Sequence, residues 1–214
     1  MSQLALSSID SSLIEEISSK NNEPNWLQEY RKNSLSIYHD LPAEVSPLYN
    51  KYTDARRMNP EQVSLSTNSD SSIPNFLSKR LEEIKNEISI VQIGSNIYSI
   101  NIDDELKSKG LVISSLDDAL QNNSELIQKT LKDSNSEEDK YTALNNAAFN
   151  SGIFIHIPQN LVIDKPIHFV SCLSLDGIST ISRNMSSLKK IRRLQLSRNF
   201  MLQKHRNSRH ILSC

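Results

Sequence analysis

Two histidines, His156 and His168, stand twelve residues apart in the stretch NNAAFNSGIFIHIPQNLVIDKPIHF, residues 145–169. If consecutive strands carry them, their imidazoles could approach each other, and metal binding is the chemistry they would offer. Alternation with Ile155, Ile157 and Ile167 already explains both positions, so structural histidines account for the pattern. Cys172 follows closely, yet no His, Arg or Lys is set beside it in sequence to activate a thiolate, and it reads as a small buried hydrophobe. Asp164 and Asp176 are too few for the carboxylate cluster of a polysaccharide-cleaving enzyme. The chain has no phosphate-binding G-x-x-x-x-G-K loop, no G-x-G-x-x-G, no H-E-x-x-H and no C-x-x-C. These residues predict no catalytic site, no cofactor-binding site and no metal site, and hence a scaffold rather than an enzyme.

The elements around those residues define the fold expectation. Ile153–Ile157 is a short strand ended by Pro158. Leu161-Val162-Ile163 reads as a second strand, and Ile167–Val170, after Pro166, as a third. Short β-branched strands with a corner every few residues suit a solenoid, in which each coil buries its inward face on its neighbours. Residues 153–184 are therefore expected to be the first coils of a parallel β-helix. A final coil without a cap exposes an apolar stacking face, so the isolated chain is expected to be poorly stable or to aggregate.

Upstream, helices dominate. Ser12-Leu13-Ile14-Glu15 fits a capping box, and Leu13, Ile14 and Ile17 share a stripe. EPNWLQEYRKNSLSIYHDLP gives a helix ended by Pro42, with Trp26, Leu27, Tyr30, Leu35 and Tyr38 spaced for core packing. Residues 59–75 are rich in Ser, Asn, Asp and Pro and read as an exposed linker. FLSKRLEEIKNEI is amphipathic through Phe76, Leu77, Leu81, Ile84 and Ile88. SIVQIGSNIYSINI is a hairpin turning at Gly94-Ser95-Asn96. A capping box at Ser115-Leu116-Asp117-Asp118 opens the helix SSLDDALQNNSELIQKTL, and another helix surrounds Tyr141–Leu144. The fold class is α+β. Residues 1–140 form a helical region with a hairpin near 89–102, 141–184 start the β-helix, and 185–214 are a tail.

Composition limits the partners. The 214 residues carry 24 Lys/Arg and 25 Asp/Glu, a formal charge of −1. Residues 185–214 hold eight Lys/Arg and no Asp or Glu, which leaves a charge of −9 on the first 184. That acidic body predicts no nucleic-acid binding, whereas the tail alone could bind nucleic acid or anionic surfaces. No apolar run reaches the roughly 20 residues of a membrane span, and the first twenty residues lack a signal peptide's basic start and apolar centre. Two cysteines, Cys172 and Cys214, make no disulfide framework. A soluble, cytoplasmic protein with no membrane partner is expected.

In combination, these segments resemble a known family. KGLVISSLDDALQNNSELIQKTL, followed by EEDKYTALNNAAFNSGIFIHIPQNLVIDKPIHF, is similar to the SufB/SufD family of iron–sulfur cluster assembly scaffolds. The family's G-V-x-V helix start, F-x-A-L-N-x-A-F, G-x-F-I-x-(V/I)-P and x-x-P-I pieces occur in order. PNWLQEYRKNSLSIYHDLP with NKYTD resembles the N-terminal helices of the SufD branch, and the likeness covers roughly residues 20–184. It implies a SufD-like subunit acting with a SufB-like scaffold and a SufC-like ATPase. The metal-linked Cys/His positions and the ATPase-docking helices belong to a part of the family absent from this sequence, so no residue inherits those roles. The alternatives are a SufB-like paralogue and a β-helical carbohydrate-active or binding protein. Family likeness and strand alternation stop near residue 184. That change predicts an out-of-frame tail on a truncated chain, in which His205, His210 and Cys214 carry no function. Reading the tail two bases on permits a string that alternates like the family's next strands.

Overall fold

The structure, a computed structural model, describes residues 3–5, 9–44, 60, 64–66, 73–132, 139–173, 178–188 and 196–202. Its helices are α1 Ser11–Lys20, α2 Asn25–Asp40, α3 Asn75–Glu83, α4 Asp104–Ser108, α5 Leu116–Asn122, α6 Ser124–Lys132 and α7 Lys140–Ala148. Its strands are β1 Gln3–Ala5, β2 Ser64–Ser66, β3 Ile88–Ile93, β4 Asn96–Asn101, β5 Val112–Ser115, β6 Ile153–Ile157, β7 Ile167–Leu173, β8 Ile178–Ser179, β9 Met185–Leu188 and β10 Leu196–Leu202. The class is mixed helix and sheet.

Three sheets organise the chain, and β6, β7 and β8 each sit in the middle or at the edge of one. Strand β7 pairs in parallel with β3 on one side and with β10 on the other. Strand β6 takes β5 antiparallel on one side and β9 in parallel on the other. Strand β8 runs parallel to β2, which in turn pairs antiparallel with β1. Each of the three successive strands is thus flanked by a strand from the N-terminal region.

Burial follows from this layering. Ile88 and Ile90 of β3, Ile113 of β5, Ile153, Ile155 and Ile157 of β6, and Ile167 and Phe169 of β7 form one cluster between the four-stranded sheet and the sheet of β5, β6 and β9. On the far side of β3 and β7, Val91, Ile93, Val170 and Cys172 are covered by Leu77 and Ile84 at α3. On the far side of β6, Phe154 packs with Leu27, Leu116, Leu120, Ile127 and Leu131 from α2, α5 and α6. All six residues of β3 are buried. That is the behaviour of a strand covered on both faces, whose sequence ISIVQI is nearly continuous in apolar residues. The hairpin from β3 to β4 turns at Gly94, whose φ of 60° is the positive value that a two-residue turn with glycine first demands.

Several boundaries differ from the sequence expectation. The N-cap of α1 is Asp10, not Ser12, because the Asp10 carboxylate accepts from both the Ser12 and Leu13 amides. The amphipathic helix ends at Ile84, and Ile88 opens β3 instead of closing the helix. The helix expected over 114–131 breaks at Asn123 into α5 and α6, and the stretch before it, Val112–Ser115, is a strand. Within the supposed linker 59–75, Ser64–Ser66 is strand β2 with Leu65 fully buried; much of the rest of it lies outside the described residues. Leu161-Val162-Ile163 is not a strand. Asn160 turns the chain with a φ of 68°, and Val162 stays exposed.

The tail also departs from expectation. An out-of-frame segment should lack packed structure, yet Met185–Leu188 extends the β6 ladder with Met185 only 6% exposed. Leu196–Leu202 lies in register along β7. A strand edge pairs through main-chain groups, so it can recruit a segment of ordinary composition, and neither MSSL nor LSRNFML contains a Pro or Gly to prevent it. His205, His210 and Cys214 lie outside the described residues, as does Asp176.

Candidate functional site

The geometry that singles this chain out lies where α7 delivers the chain into β6. Asp139 caps α7 by accepting from the Tyr141 and Thr142 amides, both at 2.8 Å. The helix ends at Phe149, and the four residues that follow meet a passage of chain 31 residues further on. The Asn150 amide donates to the Ile181 carbonyl at 3.0 Å, and its side-chain oxygen accepts from the Ile181 amide at 2.9 Å. The Arg183 amide donates to the Ser151 carbonyl at 2.8 Å, and Ser151 bridges Ser182 in parallel. The Ile153 amide donates to the Asn184 side chain at 3.2 Å. Two asparagine carboxamides, Asn150 and Asn184, therefore complete the ladder where backbone pairing alone leaves amides open.

Gly152 makes this approach feasible. A Cβ at position 152 would collide with the carbonyl of Arg183 and press on Leu116. The obstacle is backbone, which cannot swing aside as a side chain could. On its other side the Gly152 carbonyl accepts from the Leu116 amide at 2.9 Å, joining α5 to the same corner.

A buried ion pair fixes the helices that frame the corner. Arg31 of α2 is fully enclosed. Its Nε and Nη2 donate to the two carboxylate oxygens of Glu23 at 2.8 and 2.7 Å, and its Nη1 donates to the Ala147 carbonyl at 2.9 Å. Ser18 donates a further bond to Glu23 at 3.0 Å. The guanidinium carbon Cζ lies 3.7 Å from the centre of the Phe149 ring. Pairing, hydrogen bonding and stacking together satisfy a charge that would otherwise be costly to bury. The sequence reading missed Arg31, since a lone Arg in a helix of mixed charge carries no signal of burial.

The residues singled out by type are not brought together. His156 is on β6 opposite Val112 and Ser187, and His168 is on β7 opposite Ser89 and Ser197, in a different sheet. Cys172 is buried, and burial pushes its thiol up, away from the thiolate. Asp164 is exposed. Trp26 packs in the α2–α5–α6 cluster and donates to Ser124 Oγ at 3.2 Å, a packing role. Among the described residues no three His, Cys, Asp or Glu side chains gather as a metal ligand set, and no helix is long and apolar enough to cross a membrane. What the arrangement does is mechanical: it starts a stack of strands and ties it to helices.

Comparison with known proteins identifies the class to which this corner belongs. The sequence pattern of the SufBD protein N-terminal region matches residues 19–169, more than half of the chain. The chain belongs to the SufBD family. An iron-sulfur cluster assembly SufBD family protein of Staphylococcus aureus (strain USA300) is 26% identical over 190 residues, covering 81% of this chain and 40% of that protein. The iron-sulfur cluster assembly protein SufD of Bacillus subtilis (strain 168) is 30% identical over 169 residues, covering 76% of this chain and 38% of its own length. The SufBD chain described here thus spans about two fifths of the length of these relatives. The matched region contains α2, the Arg31–Glu23 pair, α7, Gly152, β6 and the start of β7.

Proposed function

We propose that this chain is a SufD-like component of an iron–sulfur cluster assembly scaffold, acting through contacts with a SufB-like subunit and a SufC-like ATPase in the cytoplasm. In this reading it is not an enzyme, and the cluster is cargo that the whole assembly handles. The observation that carries the proposal is the pair of parallel ladders, β6 to β9 and β7 to β10, in which each partner lies about thirty residues further along. That repeat is what a parallel β-helix would produce, with β6, β7 and β8 as its first coil. The Bacillus subtilis relative named SufD favours the SufD branch over SufB. The nearest competing reading, a β-helical carbohydrate-active protein, would want gathered carboxylates, and the two aspartates noted near the strands do not supply them.

Co-expression of the tagged chain with SufB-like and SufC-like subunits tests the proposal. Retention of the SufB-like subunit through affinity and size-exclusion steps is the expected result, and recovery of the chain without either partner would sink the reading.

The out-of-frame reading of residues 185–214 remains a second proposal, supported by eight Lys/Arg against no Asp/Glu in that stretch. Sequencing the codons for Arg183 to Met185 in the source gene decides it: an uninterrupted frame with no family-like coding sequence in the shifted frame downstream removes it.

A further inference from the structure

Strand β4 ends its sheet. Its one strand partner is β3, and no backbone group of Ile97–Ile100 bonds to another part of the chain among the described residues. A groove of 560 Å³ runs beside it. Every residue from Ser95 to Ile100 lines that groove, without the alternation that a strand face would give, so the strand presents its edge to the space. The opposite wall comes from Ser115, Asp117 and Asp118 at the start of α5, and from Ser151 and Gly152 at the start of β6.

The chemistry of that wall is one-sided. Its charged lining residues are Asp117 and Asp118, and among the described residues no Lys or Arg lines the groove. Crowding by the protein pushes the Asp117 carboxyl up, and Glu23 adds to this. Arg31, the cation that opposes the effect, has its three donor nitrogens committed to Glu23 and the Ala147 carbonyl. The Asp117 side chain is exposed and lines the groove. Ser151 adds an independent sign. Only 6% exposed, it lines the same space, and its hydroxyl meets no partner among the described residues. A buried hydroxyl left unbonded carries a free-energy cost.

We propose that this groove receives an extended peptide segment of a partner protein, pairing with the β4 edge and placing a Lys or Arg side chain against Asp117 and Asp118. Main-chain hydrogen bonds to the edge give such a segment its affinity, and the acidic wall selects its charge. The bulge at Tyr98, where the β3–β4 register slips, sets the stretch of edge available and leaves the Tyr98 ring 44% exposed beside it. Strands β4 and β10 are the two opposite edges of one sheet, so the β4 edge can be occupied while β10 stays paired with β7.

The test is a titration of the isotopically labelled full chain with three blocked hexapeptides of alternating Val and Thr, followed by amide NMR. The first has a central Lys, the second a Glu in its place, and the third keeps Lys but is N-methylated at alternate amides. The Lys peptide should shift the Ile97–Ile100 and Asp117 amides. The Glu and methylated peptides should bind more weakly, and D117N and D118N should each weaken the Lys peptide up to about fivefold, the upper range for an exposed ion pair. Equal binding of Lys and Glu peptides, or shifts elsewhere only, would overturn the proposal. So would movement of the same amides on simple concentration of the protein, since the occupant would then be a second copy of this chain.

Discussion

Gly152 and Arg183 are in backbone contact with no room for a methyl group between them, and on this contact rests the stacking of one passage of chain on the next. The Ser151 carbonyl and the Arg183 amide bond directly beside it at 2.8 Å. A side chain at 152 must therefore push the two passages apart or break the ladder.

Replacing Gly152 by Ala is expected to destabilise the protein by at least about 1–3 kcal/mol, the usual cost of overpacking. The obstructing atoms are backbone, so repacking offers little relief. Urea unfolding followed by circular dichroism checks this, and an unchanged midpoint would contradict the contact.

The Arg31–Glu23 pair gives a contrast of single and double changes. Glu23→Ala leaves an enclosed guanidinium without its partner and should cost about 3–5 kcal/mol. The double change of Arg31 to Met and Glu23 to Leu removes both charges while keeping volume, and should be much milder than the single. A double change as harmful as Glu23→Ala would show that the Ala147 and Phe149 contacts, not charge balance, carry the effect.

Asn184 is expected to matter through one bond. Asn184→Ala takes the acceptor from the buried Ile153 amide and should cost about 1–3 kcal/mol. Amide hydrogen exchange at Ile153 reads this directly: faster exchange there, with β3 unaffected, is the expected pattern.

Two aspartates give opposite pH dependences. At Asp139, burial pushes the carboxyl up, but hydrogen bonds from Thr142 and Tyr141 outweigh it, and the net effect holds the group below its ordinary value of 3.8. Its folded-state value lies below the unfolded one, so its contribution is full above about pH 4 and fades as pH falls through the lowered value. Asp117 behaves oppositely. Crowding by the surrounding protein raises its carboxyl in the folded state although the side chain reaches the groove, so the folded protein holds the proton more tightly, and stability drops as pH climbs from the ordinary value through the raised one. Asp117→Asn should flatten that drop, and Asp139→Asn the acid-side loss. Melting temperatures across pH 3 to 7, measured on both variants, separate the two groups.

Much of this fold can be read from residues alone where a local signal and the final environment agree. Gly94 between two apolar runs marks the hairpin, and Gly152 and Pro158 bracket β6. Trp26, Leu27 and Leu35 mark α2 by spacing. Other elements owe their state to distant partners. Strand β5 has four residues, and its pattern is masked by the capping sequence that starts α5. Strand β2 sits in a Ser- and Asn-rich stretch and becomes a strand because β1 and β8 flank it. Leu161–Ile163 has strand composition but lacks a partner strand, and Asn160 turns it aside. At the candidate site, the short-strand pattern marked β6, but not the contact of Gly152 with Arg183. The enclosed Arg31 and the acidic wall of the groove could not be seen, because both depend on which helices meet there.

The N-terminal strands also set an order in time. Ile88 of β3 finds its parallel partner in Ile167, nearly eighty residues later, with β4, β5, β6 and four helices made between them. During synthesis, β3 and β4 can close as a hairpin at once, but the other edge of β3 must wait until β7 leaves the ribosome. For that interval an apolar strand, ISIVQI, stands with one side unpaired and neither face fully covered. A nascent chain of this design gains from slow growth and a holding chaperone between residues 93 and 167. A ribosome stalled within that interval should leave it prone to mispairing, whereas one stalled well beyond β7 should not.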